Sequence, residues 1–94
     1  FPTDNGFIEV LSSTQNCTET QKFCASVCGL PLSKVNVKCK RMGGGFGGKE
    51  SRSVFIACTA ALSAHLLGRP VSINIERDVD MSITGQRHAF IVKY

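Results

Sequence analysis

Residues 35–41 alternate Val35, Val37 and Cys39 with Asn36, Lys38 and Lys40. A period of two sends the first set to a buried face and the second to solvent, which predicts a half-buried strand. Residues 7–11, apolar and β-branched around Glu9, predict a strand ahead of it. Between the two, Cys17 to Cys28 predicts a helix, with Asn16 as N-cap, Glu19 three residues on, and Gly29 then Pro31 as the stop. A second helix is predicted over residues 50–67, closed by Gly68, Arg69 and Pro70. Val71, Ile73 and Ile75 alternate with Ser72, Asn74 and Glu76 as a third strand, and residues 89–94 supply a fourth. The order is β-α-β-α-β-β and the class α/β.

That order has a consequence for chemistry. If the crossovers link parallel strands, the loops that follow successive strands leave the same edge of the sheet, where open α/β sheets bind ligands. Thr14, Gln15 and Asn16, the glycine-rich residues 43–48 and the polar residues 77–85 are expected to meet there.

The apolar run Val54 to Leu67 contains Thr59, Ser63 and His65 and is shorter than the roughly 20 residues that cross a membrane. It predicts a buried core helix, with His65 as a satisfied core residue and no membrane partner. Composition agrees with a globular interior, at 43% hydrophobic and 19% charged, without a low-complexity linker or repeat. Five cysteines, Cys17, Cys24, Cys28, Cys39 and Cys58, lack any C-x-x-C spacing. Cys17, Cys24 and Cys28 fall on one helix face and read as small apolar residues, not as iron–sulfur ligands. Reduced thiols point to a cytoplasmic chain, so Asn16-Cys17-Thr18 reads as an accidental glycosylation sequon.

The formal net charge is +4, and Lys34, Lys38, Lys40, Arg41, Lys49 and Arg52 cluster around the glycines. Nucleic-acid binding calls for interleaved aromatics to stack bases, and only Phe46 lies in this patch. Lys38 and Lys40 read as a solvated strand face, and Lys49 and Arg52 as solvent-facing cations.

The loop itself admits two common frames, and its neighbours weaken both. Gly43 to Lys49 fits a phosphate-binding G-x-x-x-x-G-K, but Glu50 stands where a magnesium-binding hydroxyl belongs. Gly43-x-Gly45-x-x-Gly48 fits a dinucleotide fingerprint, yet the nearest following acids, Glu76 and Asp78, lie well beyond the required spacing of about twenty residues.

The stretch from Lys40 to Ser53, with Ser12-Ser13-Thr14-Gln15-Asn16 before it and Arg77-Asp78-Val79-Asp80-Met81-Ser82-Ile83-Thr84-Gly85-Gln86-Arg87-His88 after it, resembles the xanthine dehydrogenase and aldehyde oxidase family of molybdenum hydroxylases. The match covers nearly the whole chain, in the family's order. It implies a partial molybdenum-cofactor-binding domain over residues 1–94 and molybdenum-molybdopterin as cofactor. Iron–sulfur clusters of the [2Fe-2S] type and FAD are expected in other parts of a homodimeric parent. It implies that Gln15, Gly44, Gly45, Phe46 and Gly47 bind the cofactor. Gln15 and the Phe46 main chain would contact ligands of the metal. Glu50 matches the glutamate that meets the purine in xanthine dehydrogenases, where aldehyde oxidases carry an apolar residue or an amide.

At 94 residues the chain is far shorter than such enzymes, and is expected to be a piece of one. The general base that activates the metal-bound hydroxide is expected outside it, so the isolated chain should be inactive. Gln86 and Ala89 depart from the family's Gly-Arg-His-Pro stretch, which leaves Arg87 and His88 a supporting role. The alternatives are an aldehyde oxidase piece, a nucleotide-dependent α/β protein, and a non-enzymatic module gripping an anion or RNA with its basic glycine loop.

Overall fold

The computed structural model describes all 94 residues as β1 (Ile8–Leu11), α1 (Cys17–Cys28), a 3-10 turn (Leu32–Lys34), β2 (Val35–Lys38), α2 (Val54–Leu67) and α3 (Arg77–Ile83). The strands pair in parallel, Ile8 opposite Val35 and Leu11 opposite Lys38, with α1 as the crossover. The predicted alternation holds. Ile8, Val10 and Val35 are buried while Glu9 and Lys38 pair at 2.8 Å on the outer face. The Lys38 hydrogen bond is the main influence holding the Glu9 carboxyl below its usual range.

Helix α1 begins and ends as its sequence dictates. Asn16 Oδ1 accepts the Glu19 N–H at 3.1 Å, and Gly29, at φ 64°, takes the left-handed turn that satisfies the last carbonyls. The core joins Ile8, Val10 and Val35 of the sheet to Cys24, Ala25 and Cys28 of α1 and Ala57 and Ala61 of α2. Small residues on both helices let them pack closely. Ile8 is 1% exposed, and truncating it to Ala would cost about 2–5 kcal/mol.

Four expectations are corrected. Residues 71–75 and 89–94 form no strand, and the sheet has two strands only. Alternation makes a strand only where a partner edge supplies hydrogen bonds. Part of β1's outer edge is already taken by the segment before it, since Phe1 exchanges bonds of 2.8 and 2.9 Å with Glu9. Helix α2 starts at Val54, not at residue 50, because the Lys49 carbonyl is drawn aside by Gln15 and Thr14, and residues 46–50 form a turn. Residues 77–83, expected as loop, form α3, whose first turn carries Asp78 and Asp80, with Arg77 bridging Asp80 at 2.9 Å. Finally, α2 is buried on one stripe, Val54, Ala57, Ala61 and Ala64, and His65 lies off that stripe in solvent.

The remaining surface is large for the mass. The chain exposes 7076 Å² at 10.1 kDa, where a monomer of that mass exposes about 5300 Å². Phe55, Leu66, Phe90 and Ile91 contribute to the excess.

Candidate cofactor site

The edge beyond the strands' carboxyl ends is organised by two groups, the Gln15 amide and the Lys49 carbonyl. Gln15 Oε1 accepts the N–H groups of Gly47 at 3.1 Å and Lys49 at 3.2 Å. The Gln15 main-chain N–H donates to the Lys49 carbonyl at 3.0 Å, and Thr14 Oγ1 donates to that same oxygen at 3.0 Å. Ser53 Oγ is a third donor to the Lys49 carbonyl, at 3.2 Å. The loop after β1 and the glycine loop after β2 are thus stitched together, as the parallel crossover predicts.

Two glycines are required by this stitching, for different reasons. A Cβ on Gly45 would fall against Gln15 Oε1 and stand 2.9 Å from Gln15 Cδ, so a side chain there displaces the Gln15 amide. Gly47, at φ 83°, turns its N–H back onto Gln15 through a conformation that L-residues avoid. Phe46 between them holds φ 47°, unusual for a bulky residue, and leaves its ring 94% exposed. The ring does not plug the core beneath the loop.

The bonds that Gln15 makes determine what it offers outward. With Oε1 committed to the loop, the exposed side chain presents Nε2, whose two hydrogens find no acceptor in the molecule. The main-chain N–H groups of Gly43, Gly44, Gly45 and Phe46 are likewise free of internal partners. The cradle therefore holds several unpartnered donors.

Glu50 stands apart from this cradle. Its exposed carboxylate opens onto a groove of about 540 Å³ shared with Asn16, Glu19, Phe23, Val54, Phe55 and Cys58. On the loop's other flank, Gly47, Lys49 and Arg52 face Arg77, Asp80 and Gly85 across a wholly polar cleft of about 380 Å³. All three sequence blocks border the loop. Arg87 and His88 lie exposed beyond α3 and make no hydrogen bond.

Thr14 was expected at this edge but was given no role there. It is 2% exposed, ties Lys49 to the Asn16 N–H, and contacts Thr20 Oγ1 at 3.4 Å. A threonine two residues before a helix N-cap was the available signal.

The family model of the molybdopterin cofactor-binding domain matches residues 1–94. The chain belongs to this family. It is 55% identical over 87 residues to xanthine dehydrogenase 2 of Arabidopsis thaliana, covering 93% of this chain and 6% of that relative. It is 52% identical over 89 residues to the xanthine dehydrogenase/oxidase of Rattus norvegicus, covering 95% and 7% respectively. With the xanthine dehydrogenase of Dictyostelium discoideum the identity is 50% over 93 residues, covering 99% and 7%. The chain thus spans 6–7% of the length of these relatives.

The donor surface fits the cofactor of a molybdopterin-binding domain. Oxo groups, sulfur ligands and phosphate are all acceptors, and an acceptor is what Gln15 Nε2 and the free loop N–H groups lack. The domain has no cluster of three His, Cys, Asp or Glu side chains able to hold a metal. No helix is long and apolar enough to cross a membrane.

Proposed function

We propose that this domain receives the metal-bearing end of molybdopterin in a cytoplasmic, purine-hydroxylating molybdenum oxidoreductase. The observation that carries the reading is the Gln15 amide, anchored through its oxygen to Gly47 and Lys49 so that its nitrogen projects as a fixed donor. Gln15 Nε2 and the Phe46 N–H would hold acceptor ligands of the metal. Gly44, Gly45 and Gly47 would allow the main chain its close approach. When bound, the cofactor supplies the two-electron chemistry that inserts oxygen at an electron-poor carbon.

The chain's own part is to bind, orient and discriminate. Glu50 is an unpaired, exposed carboxylate on the turn leading from the cradle into α2, suited to accept hydrogen bonds from a purine's N–H groups. The general base, the iron–sulfur clusters and FAD belong to the remainder of a larger, dimeric enzyme, which the excess exposed apolar surface of these residues supports.

Substitution of Glu50 in the full-length enzyme tests the reading. A charge-assisted hydrogen bond contributes about 1.5–3 kcal/mol, or roughly tenfold to a hundredfold in rate when made in the transition state. Glu50→Val should lower kcat/KM for hypoxanthine by that factor and spare or improve an aromatic aldehyde, at equal molybdenum content. A parallel fall for both substrates would return Glu50 to a supporting role, and an aldehyde preference in the unmodified enzyme would favour an aldehyde oxidase.

A further inference from the structure

Two thiols meet behind the groove that holds Glu50. Cys58 of α2 lines that groove and is half-buried, whereas Cys24 of α1 is 0% exposed, and their sulfurs lie 4.0 Å apart. Neither has a role in the cradle. The pair joins the two helices that the cradle loops lead into, α1 directly after Gln15 and Asn16, and α2 after the glycine loop and Glu50.

We propose that Cys58 and Cys24 are a modification site for peroxides, at which Cys58 is oxidised and Cys24 closes a disulfide between α1 and α2. Access sets the order. A small oxidant entering the groove reaches Cys58, and Cys24 lies behind it, out of solvent. In the first step the Cys58 thiolate attacks hydrogen peroxide; an S–O bond forms, the O–O bond breaks, and the leaving hydroxide becomes water, giving a sulfenic acid. In the second, Cys24 sulfur attacks Cys58 sulfur; an S–S bond forms, the S–O bond breaks, and the Cys24 proton leaves with the hydroxide as a second water. Two thiols lose two electrons and two protons, and one peroxide is reduced to two waters.

Closure needs the sulfurs to move from 4.0 Å to about 2.05 Å, within reach of side-chain rotation and a small helix shift. The neighbours on α2, Ala57 and Ala61, are small enough to allow it. Burial, then the nearness of Cys58, pushes the Cys24 thiol up to about 12, which disfavours the thiolate that the second step uses. Cys28 is the competitor, since its thiol also feels Cys58 nearby.

The experiment treats the full-length protein with hydrogen peroxide, digests it with trypsin without reduction, and sequences cross-linked peptides by mass spectrometry. The expected product joins residues 23–34 to residues 53–77, with fragmentation placing the bond at Cys24 and not at Cys28, and it disappears on treatment with dithiothreitol. Cys28→Ser should retain the link. Cys24→Ala should lose it and leave Cys58 labelled by a cyclic 1,3-diketone several-fold more than in the parent. Cys58→Ser, at a position that is not fully buried, should lose the link without exposing Cys24 to label. A bond to Cys28, or Cys58 that stays a free thiol while the equally accessible Cys17 and Cys39 are oxidised, would overturn the proposal. None of these readings depends on cofactor or turnover, so they stand or fall separately from the assignment to purine hydroxylation.

Discussion

Gly45→Ala isolates the part of the cradle on which the functional reading rests. The new methyl would occupy the space of the Gln15 amide, against Oε1 and 2.9 Å from Cδ, so that amide has to swing away. Both bonds from Gln15 Oε1, to Gly47 and to Lys49, are then lost. At about 0.5–1.5 kcal/mol each, their loss weakens the cradle by about 1–3 kcal/mol, which lowers cofactor occupancy by roughly fivefold to over a hundredfold where binding is not saturated. The assay is molybdenum per protomer by plasma mass spectrometry, with the pterin measured in parallel, on the full-length protein. Gly43→Ala is the control, because a Cβ there meets nothing within 4 Å, and it should load normally. On a Gln15→Ala background the Gly45→Ala change should cost much less, since the obstacle is gone. Normal loading of Gly45→Ala, or equal loss in the two backgrounds, would refute the argument that Gly45 acts through Gln15.

Thr14→Val should destabilise the protein by about 1–3 kcal/mol in chemical denaturation, because it leaves the Asn16 N–H without its acceptor, while Thr14→Ser should be nearly neutral. At Phe46, with φ 47° and an exposed ring, Asn tolerates the left-handed conformation and β-branched Val does not; Phe46→Asn should keep more molybdenum than Phe46→Val, and the reverse order would remove the main-chain role. Cys24 keeps its proton in the folded protein up to about 12, whereas a free thiol releases it near 9.0. Between those values the native state binds more protons than the unfolded one, so the stabilisation is complete below pH 9.0 and is lost as pH rises toward 12. Cys24→Ala should flatten that alkaline loss in thermal unfolding measured against pH.

What was legible in the sequence was what short-range chemistry decides. The Asn16 cap, the Gly29 stop, the parallel pairing around α1 and the alternation of Val35 with Lys38 all follow from local spacing, and all are present. Residues 71–75 carry the same alternation, yet alternation only states that a segment could pair, and no strand edge meets it here. His65 failed for a related reason. The run Val54 to Leu67 is apolar on every side, so the sequence gives no direction to its buried stripe; that direction comes from where the alanines meet Cys24 and Ala25. The loop's need for Gly45 was visible as a need for glycine, but its cause lies in a side chain thirty positions upstream, which no local rule reaches.

The distribution of order within the domain follows from these same contacts. Only 12 of 94 residues are buried, and the apolar core is a thin layer of alanines, cysteines and four β-branched side chains. Such a core cannot hold a loop of five glycines in one conformation from below, because glycine offers no side chain to pack. The loop is instead fixed from the side, by an amide and a carbonyl that each take several hydrogen bonds across the gap between the two strand ends. Polar ties of this kind are directional where apolar contacts are not, so they set the aim of Gln15 Nε2 as well as the position of the loop. The outer face of α2 and residues 89–94 find no packing partner within this chain, while the cradle carries the means of its own shape.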